Sequence, residues 1–241
     1  MQVVHNRYTT HIKDTKDDNI VFVILSAGVG NRMRSYGPKP LIRINQEKTI
    51  VQNQIEIIKN NFVNPEIILV CGFEADKVMK NTPTDIIKIE NESYEKTNVL
   101  RSIGMGLRAA TSESVLIVYG DLVFNDEAIK NLKLENSCIA IEQSYMADEE
   151  VGCNISDGFV EQLLPDIPNK WAQIMFLMDK ELDIFRKISW DRNKSQYFGF
   201  EAINETIEKG GRFKSCTPNK AKITDVDSSK DLNMARKMLC N

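Results

Sequence analysis

The chain has 241 residues, 42% of them hydrophobic and 27% charged, with only 12 glycines and 7 prolines. That composition excludes a disordered chain and suffices for one substantial α/β domain with its own core. Against 34 Asp and Glu stand 31 Lys and Arg, a formal net charge of −3, so no general positive field awaits a nucleic acid.

Any polyanionic ligand must therefore be met by local cations or by metal. Five cysteines (Cys71, Cys138, Cys153, Cys216, Cys240) are odd in number and lack C-x-x-C spacing. They read as reduced core thiols of a cytoplasmic protein, not as a disulfide framework or a thiolate zinc site. The two histidines, His5 and His11, lie in a polar stretch before residue 20. Neither a His-rich metal site nor a Ser-His-Asp triad is expected, and a metal would be a hard cation on carboxylates. The same stretch lacks the apolar centre of a signal peptide, and no run approaches the ~20 residues of a membrane span.

In chain order, Ile20 to Leu25 (IVFVIL) is an unbroken apolar run, the pattern of a strand covered on both faces in a parallel sheet. SAGVGNRMRSYGPKP is a loop, and TIVQNQIEIIKNNF carries Ile50, Val51, Gln54, Ile55, Ile58 and Phe62 at helical spacing. EIILVCGF and the more exposed TDIIKIENE are strands, TNVLRSIGMGLRAA a helix, and SVLIVYGDLVF a fourth strand. Then follow a short strand CIAIEQ, a hairpin turning at Asp157-Gly158, a strand WAQIMFLM, helices in DKELDIFRKISW and FGFEAINETIEKG, and a last strand AKITDV. Ser228 and Asp231 open a final helix as a variant capping box. The alternation predicts a doubly wound, mostly parallel sheet with helices on both faces. The expected organisation is a polar extension (1–19) and one domain (20–241), with an inserted substrate-facing portion in its less regular second half.

Ligands of an open parallel sheet sit beyond the carboxyl ends of its strands, which directs attention to Ser26–Lys39. Gly28 and Gly30 let the backbone approach a phosphate and point N–H groups at it. No third glycine follows to complete a dinucleotide loop, and no Gly-Lys-Ser/Thr completes a P-loop. Arg32 offers a planar fork for phosphate oxygens, and Lys39, between two prolines, a positioned point charge. Two solvated cations in a turn is the competing reading.

The string L-S-A-G-V-G-N-R-M…P-K-P-L resembles the signature of nucleotidyltransferases with a glycosyltransferase-A-like fold. These include sugar-phosphate nucleotidyltransferases, phosphocholine cytidylyltransferases and the cytidylyltransferase of isoprenoid precursor synthesis. The resemblance spans residues 20 to 239 and is loose from about 140 to 195; it implies a nucleotide-binding half (20–135) and an acceptor-binding half (136–241) that carries a small acceptor-binding lobe. It implies that Leu25, Ala27, Gly28 and Gly30 bind the nucleotide, with Arg32 and Lys39 catalytic on its phosphates. Ser26 replaces the usual alanine. The interval from Arg32 to Lys39 is shorter than in sugar-phosphate enzymes, so the pattern does not select the acceptor.

Strand four ends in Y-G-D and the last strand in T-D-V-D-S, bringing Asp121, Asp225 and Asp227 to strand ends. Carboxylates converging there could share Mg²⁺ with phosphate oxygens, or could be ordinary turn formers. The resemblance assigns the metal to Asp121 and Asp227, with Asp225 as the alternative ligand.

Asn98 and Ser102 are four apart on a helix and can both face a nucleotide, as the resemblance implies; Thr97 as a simple N-cap is the competing reading. Gly72 matches a glycine that admits the base, or is the turn after strand two. Trp171, Trp190 and Tyr197 are either acceptor-facing aromatics or core. Lys170 and Lys187 are either acceptor-phosphate cations or surface lysines. The resemblance thus implies a Mg²⁺-dependent nucleotidyltransferase moving a nucleoside monophosphate, CTP being the favoured donor, to a small phosphorylated acceptor. Alternatives are a glycosyltransferase of related fold using Asp225-Val226-Asp227, or a non-catalytic nucleotide-binding module. No nucleic acid or membrane partner is expected.

Overall fold

The structure, a computed structural model, describes residues 19–142 and 150–239. Residues 1–18 of the expected extension, with His5 and His11, and Cys240 lie outside the described residues. The first half runs β1 (Val21–Ser26), α1 (Ile50–Asn61), β2 (Glu66–Cys71), α2 (Ala75–Lys80), β3 (Ile87–Glu90), α3 (Val99–Ala109) and β4 (Ser114–Tyr119). It continues with β5 (Leu122–Phe124), α4 (Glu127–Lys130) and β6 (Cys138–Glu142). The second half comprises β7 (Val151–Ser156), β8 (Phe159–Pro165), β9 (Lys170–Met178), α5 (Asp179–Trp190), α6 (Gly199–Glu208), β10 (Phe213–Cys216), β11 (Ile223–Asp225) and α7 (Ser229–Leu239).

All six residues of β1 are buried. Alternate side chains explain why: Phe22 and Ile24 pack with Val51, Ile55 and Ile58 of α1, whereas Val21, Val23 and Leu25 pack with Leu100, Ile103 and Leu107 of α3. A strand that divides two cores cannot alternate apolar with polar. β1 is parallel to β2 and β4, and β2 to β3. α1 begins at Thr49 with a reciprocal capping box to Gln52.

The expected α/β class holds, and the sheet is mixed. Its order is β3-β2-β1-β4-β9-β6-β10-β8-β7, with β9 antiparallel between β4 and β6. The hairpin turns at Asp157 and Gly158, both at positive φ (49° and 78°), as Asp-Gly demands. Ser228 caps α7: its hydroxyl donates to Asp231 Oδ2 at 2.8 Å and accepts from the Asp231 N–H at 3.3 Å. The elements α2, α4 and β10 are too short to show a period.

One element departs from the sequence reading in a way that builds the site. SVLIVYGDLVF is two strands, broken at Gly120-Asp121. At Gly120 a Cβ would lie 2.2 Å from Ser26 Oγ and 2.4 Å from the Leu25 carbonyl oxygen, so only glycine fits beside the end of β1. Buried Gln54 of α1 secures the break, its Nε2 donating to the carbonyls of Tyr119 (2.9 Å) and Leu122 (2.7 Å). β5 then leaves the main sheet and pairs antiparallel with β11, which brings the last strand back to Asp121.

Among the described residues, no helix is long and apolar enough to cross a membrane.

The contact of α3 with β1 offers a stability test. Alanine normally suits a helix better than glycine by up to ~1 kcal/mol. At Gly106, however, the added Cβ would stand 2.4 Å from Val23 Cγ1 in the central strand. Overpacking against a stiff β-branched side chain should win, so Gly106→Ala is expected to destabilise by about 1–3 kcal/mol. Urea unfolding would show a lower midpoint at unchanged slope; a raised midpoint would contradict this packing.

Candidate active site

The loop after β1 is shaped by its glycines and prolines. Gly28 faces open space, so none of the described residues obstructs a ligand there. Gly30 has φ +59°, and a Cβ on it would meet the Lys39 stem at 2.8 Å, so two independent constraints require glycine. Met33, 1% exposed, anchors the loop among Ile42, Ile44, Val123 and Val226. Pro38 and Pro40 bracket Lys39 in a short 3₁₀ turn that fixes where its side chain enters. Gly72 serves the loop itself: a Cβ there would strike the Ala27 carbonyl at 2.6 Å, and the Phe73 N–H donates to that carbonyl at 3.1 Å.

Lys39 is the centre of the cluster. Only 8% exposed, its ammonium donates to Asp121 Oδ2 at 3.1 Å and to Asp227 Oδ1. Burial alone would lower its pKa, but Asp121, Asp227 and Asp225 together hold it above the ordinary lysine value. Arg32, largely exposed, reaches Asp227 Oδ2 at 3.4 Å. The three aspartates each present a carboxylate oxygen within 4.8 Å of the others. The alternative ligand, Asp225, is the most constrained of them. Its Oδ2 accepts from Gln173 Nε2 at 3.1 Å, while Oδ1 is buried without a hydrogen-bond partner among the described residues. Burial, reinforced by Asp121 and Asp227, pushes its carboxyl up to about 8. Gln173 is aimed by strain: it has φ +55° in mid-strand, where the β6–β9 register shifts.

These residues fit a divalent hard cation. Three clustered carboxylates, one with an orphaned buried oxygen, are an all-oxygen donor set, with no thiolate or imidazole among them.

The remaining candidates separate into distinct environments. Asn98, not Thr97, is the N-cap of α3, its Oδ1 accepting from the Val99 N–H at 2.7 Å. Ser102 is buried and accepts from Asn91 Nδ2, which also donates to Thr97 Oγ1, so Asn98 and Ser102 do not form one open polar face. Trp171 is buried edge-on to Tyr119 at 5.5 Å, with its Nε1 unpartnered. Lys170 is held by Glu150 (2.7 Å) and Glu142 (3.5 Å), which already neutralise it. Tyr197 lies beside the start of α3, where its carbonyl accepts from the Leu100 N–H. Lys187 is exposed on α5. Trp190, 51% exposed, faces α3 in a groove that none of the three aspartates lines.

Sequence reasoning gives no site role to Gln54, Asn91, Gly120 or Gln173. Gln54 carries a signal as a polar residue on an otherwise apolar helix face, and Asn91 and Gly120 stand inside the N-E-S-Y and Y-G-D strings; Gln173 carries none.

The fold is one shared by nucleotidyltransferases. Residues 22–139, which include the loop, Lys39 and Asp121, match the MobA-like NTP transferase domain. A curated relative, the bifunctional IPC transferase and DIPP synthase of Rubrobacter xylanophilus, is 23% identical over 248 residues. The alignment covers 94% of this chain and 53% of that protein, so the chain spans about half the length of the relative. The structure of CTP:phosphocholine cytidylyltransferase from Streptococcus pneumoniae has a similar fold (TM-score 0.76, 17% identity, 92% of this chain and 99% of that one). So does that of the inositol-1-phosphate CTP transferase from T. maritima (TM-score 0.75, 18% identity, 92% and 96%).

The raised Asp225 carboxyl makes stability depend on pH. Between an ordinary value near 4 and the folded value of about 8, the folded chain keeps a proton that the unfolded chain has released. Stability must then fall as pH rises through that window. Asp225→Asn removes the effect. In metal-free buffer its melting temperature should gain on wild type between about pH 5 and about pH 8.5. An equal difference at both ends would mean an ordinary carboxyl.

Proposed function

We propose that this nucleotidyltransferase is a Mg²⁺-dependent cytidylyltransferase, moving CMP from CTP to a small phosphorylated acceptor and releasing pyrophosphate. The observation that carries the reading is the buried Lys39 ammonium among Asp121, Asp227 and Asp225, its stem packed against Gly30 of the glycine loop. The two CTP-dependent transferases of similar fold support the choice of donor. A phosphorylated alcohol or sugar phosphate is the acceptor class consistent with the same comparisons.

An acceptor phosphate oxygen attacks the α-phosphorus in line, and the bond to the bridging oxygen of the β-phosphate breaks. The nucleophile is already anionic, so no side chain need remove a proton. The chain contributes position and charge. Backbone around Gly28 admits the phosphates closely, because no described residue fills that space. Lys39, restricted by its flanking prolines, provides a fixed positive charge, and exposed Arg32 adds a second at the rim. Mg²⁺, when bound, would be held by Asp121 and Asp227, with Asp225 as the alternative ligand, and would supply charge neutralisation at the phosphates. Leu25, Ala27 and Asn98 border the nucleotide in this reading, and Tyr197 and Trp171 the acceptor side.

Pyrophosphate release should be followed with CTP, Mg²⁺ and a panel of inositol 1-phosphate, phosphocholine and glucose 1-phosphate. Wild type is expected to turn over at least one. Lys39→Ala and Asp121→Ala should each lower the rate by roughly 10²–10³-fold with native circular dichroism. Free nucleoside diphosphate in place of pyrophosphate, or full activity in either variant, would refute the assignment.

A further inference from the structure

A groove of about 540 Å³ lies apart from the acid cluster, lined by Ile89, Arg101, Gly104, Met105, Arg108, Ala109, Trp190 and Arg192. In a chain with net charge −3, this lining holds three arginines and no acid. Arg101 and Arg108 are seven residues apart on α3, about two turns, so they share one face and stand about 10 Å apart along the axis. Arg192 comes from the segment after α5. All three are exposed, and their side chains make no ion pair or hydrogen bond with any described residue. By contrast Arg186, one turn before Trp190, is engaged with Glu113 at 2.8 Å.

The floor of the groove is built, not incidental. α3 and α5 meet at Gly104, where a Cβ would come within 2.8 Å of the Ser189 carbonyl. This close approach places Trp190, the last residue of α5, beside the α3 arginines. Trp190 is 51% exposed, whereas the other tryptophan, Trp171, is 4% exposed. An exposed indole next to unpaired guanidinium groups offers a stacking surface and forked phosphate donors together. A ligand matching both has a planar ring at one end and phosphates at the other.

We propose that this groove is a second nucleotide site, with the base against Trp190 and the phosphates on Arg101, Arg108 and Arg192. It is separate from the catalytic cluster and does not depend on the acceptor assignment.

The full chain should be tested by equilibrium dialysis with CTP in the presence of Mg²⁺. Two CTP per chain are expected for wild type. The triple variant Arg101→Ala, Arg108→Ala, Arg192→Ala should bind one and retain pyrophosphate release. Lys39→Ala should weaken the other site only. Trp190→Ala should weaken CTP at the groove at least tenfold while leaving inorganic tripolyphosphate binding to the arginines unchanged. A single CTP that is lost with Lys39 and kept without the arginines overturns the proposal. A single CTP with the opposite pattern supports the groove and overturns the catalytic-site reading instead. Equal binding of CTP and tripolyphosphate, both indifferent to Trp190, overturns the nucleotide assignment. So does unchanged CTP binding accompanied by an altered sedimentation coefficient in the arginine variant, which would make this face a contact with a second copy.

Discussion

An ammonium group buried between carboxylates is expensive to place and expensive to disturb. Removing Lys39 from water costs several kcal/mol unless opposite charges surround it, and Asp121 and Asp227 do so from segments far apart in the chain. The pairing explains features that otherwise look unrelated. Gly30 leaves room for the lysine stem, the flanking prolines restrict its entry, and Gly120 lets Asp121 turn out of the sheet. Burial and its two acidic neighbours favour the protonated form of Asp225, while Lys39 and Arg32 set positive charge against the other two carboxylates. The chain thus keeps three acids close together without strong self-repulsion.

The parts of this arrangement that were legible in the sequence are those governed by local backbone chemistry. The Gly28–Gly30 loop, the Pro-Lys-Pro segment, the Asp157-Gly158 turn and the Ser228 cap each depend on a few consecutive residues. The apolar run of β1 was readable because burial on both faces suppresses alternation. What stayed hidden depends on partners distant in sequence. Nothing in WAQIMFLM reveals that β9 runs antiparallel between β4 and β6, or that Gln173 takes a left-handed conformation to reach Asp225. Lys170 looked available because Glu142 and Glu150 come to it only through the fold. SVLIVYGDLVF looked continuous because an apolar pattern does not register a strand that changes sheets.

The two halves also differ in how they use polar groups. In the first, buried polar side chains secure backbone breaks, as Gln54 does at Gly120-Asp121 and Asn91 does ahead of α3. In the second, partly buried charged side chains neutralise one another, as Lys170 does with Glu142 and Glu150 and Lys194 with Glu205. The first use fixes a bend in the backbone, whereas the second satisfies charges drawn partly out of water. Tyr119 and Trp171 stand at the junction, packed edge-on where the two halves share the sheet.

The three-residue pairing of β5 with β11 has a consequence for assembly. Asp121 and Asp227 are more than a hundred residues apart, and this short ladder is what closes that loop. The parallel strands around β1 and the glycine loop can form from earlier segments, but the acid cluster exists only after the last strand and α7 have docked. Until then Lys39 faces a single strong partner, Asp121, and the pocket is without its second carboxylate. The assembled cluster therefore reports on the docking of the C-terminal strand, a long-range contact that no local segment can supply.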